Sequence, residues 1–303
     1  MVVYIFMYNV FLFHLILNQT RRRPINYTIL EGSYNLFFLV VFLFLVLVLN
    51  QHLFIVLFIA MVAGLLLTEF LRVTILPGGR VGLDPTRIYF DAAFSKKVFN
   101  FGSPITLWLI LSYLMIIGDR YIINEFRNYD DVGTYAAIKD FIIKISTFTT
   151  IPVILAYHPM IVEKWNENRR KESLKLIRQG LNYMLLIAVV VFVFFMFFRD
   201  LFYSRILHLQ VDSDFLVSVA LIGSAFLWQA AMLLHKPLEL LLKPQLMLLA
   251  IIVALVANAV GNLVFIPAYG YPAAAVVSLA SVIFYIIIIF VFLFRFRKMG
   301  LLK

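Results

Sequence analysis

Long runs of apolar residues, almost unbroken by polar ones, constrain this chain more than any other feature. After Asn35, for example, every residue up to Leu49 is apolar. Runs that approach 20 residues are long enough to cross a bilayer as a helix, and in hydrocarbon a helix satisfies its own backbone hydrogen bonds. Charged residues make up only 14% of the chain and its mean hydropathy is +0.97, which excludes a water-soluble protein. The expected fold class is all-α, a polytopic bundle of transmembrane helices.

Polar breaks between the apolar runs predict about nine membrane spans. They cover residues 2–17, 33–49, 53–71, 104–124, 132–157, 181–198, 215–234, 246–266 and 272–294. The first is the shortest and contains Asn9 and His14. The arginines at 21–23 follow it, which is the wrong side for the charge of a cleaved signal peptide. We therefore expect it to be a span whose N-terminus lies outside.

Lysine and arginine are unevenly divided between alternate loops. With the loop at 21–23 assigned to the cytoplasm, twenty of the 26 basic residues lie on the cytoplasmic side and three on the outer side. Cytoplasmic loops of membrane proteins carry such an excess. The pattern predicts an outer N-terminus and a cytoplasmic C-terminus. Topology and contact with membrane lipids thus explain the net charge of +10. The basic charge is therefore no sign of nucleic-acid binding.

The predicted outer loops are short, and the longest covers only 199–214. A membrane enzyme that builds polymers outside the cell would need larger loops to carry its catalytic groups. Cysteine is absent, and no His or carboxylate cluster has the spacing of metal ligands, so we expect no catalysis, no metal and no cofactor. The cytoplasmic segments 86–101 and 163–178 mix basic with spaced apolar residues, and we expect them to form short helices in the interface.

Five charged side chains fall within one predicted hairpin, formed by the fourth and fifth spans. They are Asp119, Arg120, Lys139, Asp140 and Lys144. Each would cost about 2.5–3.5 kcal/mol at the centre of the bilayer, so we expect them to face protein or a water-filled cavity. Counting about 1.5 Å per residue from the hairpin turn places Asp119 near the level of Lys139, and Arg120 near that of Asp140. Ion pairs across the hairpin are therefore feasible.

Two interpretations of this cluster remain open. In one, the charges neutralise each other and hold the two helices together; Asp140 and Lys144 are also spaced i, i+4 in the favourable order. In the other, the surplus positive charge and Lys144, the deepest cation, line a path for an anionic head group. The hydroxyl groups below Lys144 would continue that path and belong to Ser146, Thr147, Thr149 and Thr150.

Two amides in the eighth span share a helix face with small residues. Asn258 and Asn262 are four residues apart, and Gly261 lies beside them. Close helix packing with amide hydrogen bonds is one role for this face. Lining a cavity is the other.

Two segments resemble a known family. Residues 117–123, Ile-Gly-Asp-Arg-Tyr-Ile-Ile, precede Asp-Val-Gly-Thr-Tyr at 131–135, and residues 258–270, Asn-Ala-Val-Gly-Asn-Leu-Val-Phe-Ile-Pro-Ala-Tyr-Gly, precede three alanines at 273–275. Both resemble segments of the polysaccharide biosynthesis transporters, the O-antigen flippase type within the multidrug/oligosaccharidyl-lipid/polysaccharide exporter superfamily. Ala273 stands where the family usually has glycine, which keeps the small size and loses the flexibility.

The resemblance implies export across the bacterial cytoplasmic (inner) membrane. The cargo would be an oligosaccharide linked to undecaprenyl pyrophosphate, flipped to the outer leaflet by alternating access of two lobes. Family members usually have about twelve or more helices, and the nine spans here would match the last nine. Residues 1–97 are then expected to be a remnant of the first lobe and 98–303 a complete six-helix second lobe, with further spans encoded before Met1 in the natural gene or an intact relative.

By the same resemblance, Arg120, Lys139 and Lys144 would attract the pyrophosphate, and Asp119 and Asp140 would be structural or coupling charges. Two other classes remain open. One is a multidrug or cation antiporter of the same superfamily, although its cavity would favour acidic groups. The other is a membrane enzyme of polysaccharide assembly, or a scaffold for the polysaccharide polymerase and its partners.

Overall fold

A computed structural model describes residues 2–20, 23–49, 53–75, 91–207 and 215–300, and these residues are helical apart from short turns. The helices are α1 Val2–Thr20, α2 Pro24–Leu49, α3 Leu53–Ile75, α4 Ala92–Phe126, α5 Tyr129–Asn166, α6 Arg170–Phe197, α7 Arg199–Leu201, α8 Phe215–Leu234, α9 Lys236–Leu240, α10 Pro244–Tyr269 and α11 Tyr271–Lys298, with a π-helical turn at Phe202–Ile206. The all-α class is therefore confirmed for the described part of the chain.

Eight stretches of helix among the described residues are long and apolar enough to cross a membrane. They belong to α2, α3, α4, α5, α6, α8 with α9, α10 and α11. The chain is thus a multi-pass membrane protein by the length and composition of its helices. Helix α1 is not among the eight, so the ninth span stays a prediction. Most of the predicted linker, at 76–90, and the end of the predicted outer loop, at 208–214, lie outside the described residues.

Residues Met1–Phe90 form one compact unit, whose described part is α1 to α3. Its small core contains Phe11, Leu15, Leu30 and Leu65. Helices α2 and α3 pack closely because Gly64 has no side chain: a Cβ there would lie 3.1 Å from the backbone nitrogen of Phe38.

Residues Asp91–Lys303 form the second compact unit, whose described part is α4 to α11. Helix α8 packs against α5, α6 and α11, and α10 packs against α4 and α11. The expected domain boundary at 97/98 falls inside α4, and the assignment of the two units as lobes stays a prediction.

The long helices of the second unit alternate in direction. The turns at Arg127–Asn128 and Gly270 therefore share one end of this unit, which we call the turn end. The opposite end, which we call the basic end, carries Lys96, Lys97, Lys164, Arg169, Arg170, Lys171, Lys175, Arg178, Lys236, Lys243, Arg295, Arg297 and Lys298.

Polar contacts hold the turn end together. Asn128 caps α5, its side chain accepting a hydrogen bond from the backbone N–H of Asp131 at 2.8 Å. Gly270, with φ of +68°, ends α10 and begins α11 in a conformation that side chains disfavour. The Arg127 guanidinium donates to the carbonyl of Pro267 at 3.1 Å. A cation thus satisfies a carbonyl that the end of α10 leaves unpaired.

The structure corrects the expectation of short interfacial helices. The described part of 86–101 is not separate, because α4 runs without a break from Ala92 to Phe126. The segment 163–178 contains the end of α5, a turn at 167–169 and the start of α6. Both segments therefore extend long helices beyond the predicted spans.

Candidate functional site

The hairpin of α4 and α5 forms both of the expected ion pairs. Lys139 donates to Asp119 Oδ2, and Arg120 Nη2 donates to Asp140 Oδ1. The two pairs differ in environment: the side chains of Lys139 and Asp119 are 6% and 0% exposed, whereas those of Arg120 and Asp140 are 24% and 47% exposed. One pair lies inside the second unit and the other lies on its surface.

The buried pair is surrounded by further hydrogen-bond donors. The Tyr135 hydroxyl donates to Asp119 Oδ2 at 2.6 Å, and Ser278 Oγ donates to the same oxygen at 3.2 Å. Lys139 Nζ lies 5.3 Å from the centre of the Tyr135 ring. The donors come from α5 and α11, so the Asp119 carboxylate links three helices. Its other oxygen, Oδ1, is buried and has no hydrogen-bond partner among the described residues.

A small cavity adjoins Lys139 inside the second unit. Its volume is about 50 Å³, and its polar lining comes from Lys139, Ser146, Ser224, Gln229, Asn258 and Ser278. This is room for one or a few water molecules with several polar partners. The cavity is too small for a sugar or a lipid head group, so the groups that can reach Lys139 through it are water and small ions.

The surface pair and Lys144 form a second group, which we call the exposed strip and define as Arg120, Asp140 and Lys144. Lys144 is exposed and makes no ion pair with the other described residues. Its i, i+4 neighbour Asp140 instead binds Arg120 from the facing helix. The exposed strip therefore carries one net positive charge near the middle of the predicted 132–157 span.

Two of the four hydroxyl groups predicted below Lys144 lie inside the second unit. Ser146 and Thr150 are fully buried and donate to carbonyls of their own helix, at 2.9 Å and 2.6 Å. Thr147 accepts a hydrogen bond from Gln229 of α8 at 2.8 Å. Phe148, one turn beyond Lys144, is exposed. Ser146 and Thr150 therefore do not line an exposed path from Lys144, whereas a path along the partly exposed Thr147 and Thr149 stays a prediction.

Asn258 and Asn262 take part in packing between α10 and α11. Asn258 Nδ2 donates to Ser281 Oγ at 3.1 Å, and Asn262 Nδ2 donates to Asn258 Oδ1 at 3.1 Å. A Cβ added to Gly261 would lie 3.0 Å from Val277 Cγ1, which shows how close the helices are. Asn258 also borders the small cavity, and a role of Asn258 or Asn262 in lining a transport cavity stays a prediction.

A buried network near the basic end was not predicted from the sequence. Trp108 Nε1 donates to the Tyr285 hydroxyl at 3.0 Å, and this hydroxyl lies 3.1 Å from His235 Nδ1. His235 Nε2 is 3.3 Å from Glu239 Oε1. The ring of Trp228 stacks on Trp108 with centroids 6.0 Å apart. The tyrosine and tryptophan residues in the apolar spans could have indicated such a network, because the polar atoms of these side chains need hydrogen-bond partners when they are buried.

The described residues contain no group of three or more His, Asp or Glu side chains that could hold a metal ion. Comparison with family models, with curated proteins and with solved structures finds no match for this chain. The features of this chain that point to a function are therefore the placement of charge in its helices and the resemblance of the two sequence segments.

Proposed function

We propose that this chain belongs to a transporter that flips an anionic lipid-linked oligosaccharide across the bacterial cytoplasmic membrane. In this proposal it has nine spans, an outer N-terminus and a cytoplasmic C-terminus. Residues 1–97 are part of a first lobe and residues 98–303, which hold most of α4 and the five long helices after it, are the second. The resemblance of 117–135 and 258–275 to O-antigen flippases supplies the cargo class, an oligosaccharide on undecaprenyl pyrophosphate.

The exposed strip is the observation that carries the proposal. Lys144 is on the surface of the second unit at the middle of its predicted span, where contact with lipid would cost about 2.5–3.5 kcal/mol. A water-filled path removes that cost, and in a path of low dielectric a surplus cation attracts a pyrophosphate strongly. Arg120 forms an ion pair with Asp140. Lys144 has no such partner among the described residues, so its charge is available to attract an anion. Lys139, enclosed beside Asp119, has a supporting role in this proposal.

The absence of cysteine gives a direct test of whether Lys144 faces water. A Lys144→Cys variant should react with a water-soluble maleimide in proteoliposomes, because thiols react as thiolates in water. Val190, equally central in its predicted span and 59% exposed on an apolar helix, provides the matched control, and Val190→Cys should stay unlabelled. Equal and negligible labelling of both positions would place Lys144 in lipid and remove the basis of the proposal.

Transport itself is tested with an undecaprenyl-pyrophosphate oligosaccharide in proteoliposomes, scored by its accessibility to a glycosidase added outside. Lys144→Ala should reduce flipping at an unchanged protein level, and Lys144→Arg should retain it because the charge is kept. Normal flipping by Lys144→Ala would refute the role of this cation. Absence of flipping by the unmodified chain would refute transport by this polypeptide alone.

A further inference from the structure

An open groove lies at the basic end of the second unit, away from the charged hairpin. It has a volume of about 580 Å³ and runs between the first three turns of α4 and the turn that precedes α10. Its lining includes Phe94, Lys96, Lys97, Asn100, Leu242 and Gln245. All of these residues belong to the second unit.

The length of α4 places this groove at the membrane surface. The helix has 35 residues, or about 52 Å, whereas the hydrocarbon core of a bilayer is about 30 Å thick. Its apolar part begins near Pro104. The segment from Ala92 to Phe101 therefore extends past the hydrocarbon core, at the end where the basic residues of the unit gather.

The side chains of this segment combine unpaired cations with exposed aromatic rings. Lys96 and Lys97 are exposed, and neither forms an ion pair with another described residue. Phe94 and Phe99 are 64% and 70% exposed. Phenylalanine rings on a helix at the membrane surface insert at the boundary between head groups and acyl chains, and lysines near the surface attract anionic lipids. The nearby carboxylate, Asp91, accepts hydrogen bonds from the backbone N–H groups of the first turn.

We propose that this groove binds an anionic phospholipid of the surrounding bilayer. The ammonium groups of Lys96 and Lys97 contact its phosphate, and the upper part of an acyl chain lies over Phe94 and Leu242. The charge complementarity and the position of the groove at the membrane surface favour a lipid over a soluble anion. The site is separate from the exposed strip and does not depend on the proposed transport function.

The test uses the full chain in phosphatidylcholine vesicles that contain increasing fractions of phosphatidylglycerol. Asn100→Cys, labelled with a fluorophore, reports on the groove, and quenching by nitroxide-labelled phosphatidylglycerol is compared with quenching by nitroxide-labelled phosphatidylcholine. Each lysine near the surface contributes about a five-fold preference, so Lys96→Gln with Lys97→Gln should lower the preference for phosphatidylglycerol by up to about thirty-fold. Lys96→Arg with Lys97→Arg should keep it.

Lys171 and Lys175, two exposed lysines of α6 at the same end, provide the matched control. Lys171→Gln with Lys175→Gln should leave the preference measured at residue 100 unchanged. An equal loss of the phosphatidylglycerol preference in this control would show that only a diffuse surface potential acts, and would overturn the site. Equal quenching by the two lipids in the unmodified chain would also overturn it. Complete competition by soluble glycerol 3-phosphate would show that a free phosphate ester is the ligand and overturn the assignment to a lipid.

Discussion

The buried pair of Asp119 and Lys139 offers the sharpest test of how the second unit is held together. Asp119→Asn leaves the Lys139 ammonium about 6% exposed and without its carboxylate. Removing one partner of a buried pair costs about 3–5 kcal/mol, because an uncompensated charge stays inside. Lys139→Met should cost less, about 2–3 kcal/mol, since Tyr135 and Ser278 still donate to the carboxylate and each such bond to a charged group is worth about 1.5–3 kcal/mol.

The double variant Asp119→Asn with Lys139→Met leaves no charge in this part of the core. The decrease in its free energy of unfolding should be smaller than the sum of the decreases in the two single variants. We expect a difference of at least about 2 kcal/mol, which is a factor of about 30 in the unfolding equilibrium. The free energy of unfolding can be measured in mixed micelles with increasing sodium dodecyl sulfate, followed by the fluorescence of the 3 tryptophans. Arg120→Met with Asp140→Asn is the control cycle, and its coupling should be only about 0–1 kcal/mol if this partly exposed pair meets water. Additivity of the Asp119 and Lys139 variants to within about 0.5 kcal/mol would refute the reasoning.

Three further predictions concern orientation, the aromatic network and helix contact. A membrane-impermeant thiol reagent added outside cells should label Asn128→Cys and not Asn168→Cys; labelling of the second would reverse the proposed orientation. Tyr285→Phe removes the hydroxyl that links two buried ring nitrogens and should lower the free energy of unfolding by about 1–3 kcal/mol; an unchanged value would show that the network is dispensable. Gly64→Ala forces a methyl group against backbone at 3.1 Å and should lower the melting temperature, whereas Gly32→Ala, with nothing within 4 Å of the added carbon, should not; equal melting temperatures would contradict the close packing of α2 and α3.

The sequence located the ion pairs of the hairpin because a short turn fixes the depth of both helices. It did not reveal which pair is buried. Asp119 and Arg120 are consecutive and point about 100° apart on a helix, so only the packing of α10 and α11 decides that Asp119 faces inward. The i, i+4 spacing of Asp140 and Lys144 was misleading for a related reason. The Asp140 carboxylate pairs with the Arg120 guanidinium on the facing helix and not with Lys144.

Contacts between distant helices were beyond the reach of sequence reasoning. Trp108 and Tyr285 are separated by 177 positions in the chain. A span that is apolar on all its faces has no distinct apolar face, so its sequence does not indicate which helix packs against which face. The length of the helices was underestimated for a simpler reason. Apolarity marks the part of a helix inside the hydrocarbon, and α4 and α5 continue into polar sequence at the basic end, where their backbone hydrogen bonds are kept.

The aromatic network also fixes the direction of its first hydrogen bond. An indole N–H can only donate, so the Tyr285 oxygen accepts from Trp108 and keeps its own hydrogen as a donor. His235 Nδ1 lies 3.1 Å from that oxygen and can accept this hydrogen in the tautomer whose hydrogen is on Nε2, the atom 3.3 Å from Glu239 Oε1. We expect this tautomer, in which donors follow one another from the indole of Trp108 to the carboxylate of Glu239, and nitrogen chemical shifts of His235 would identify it.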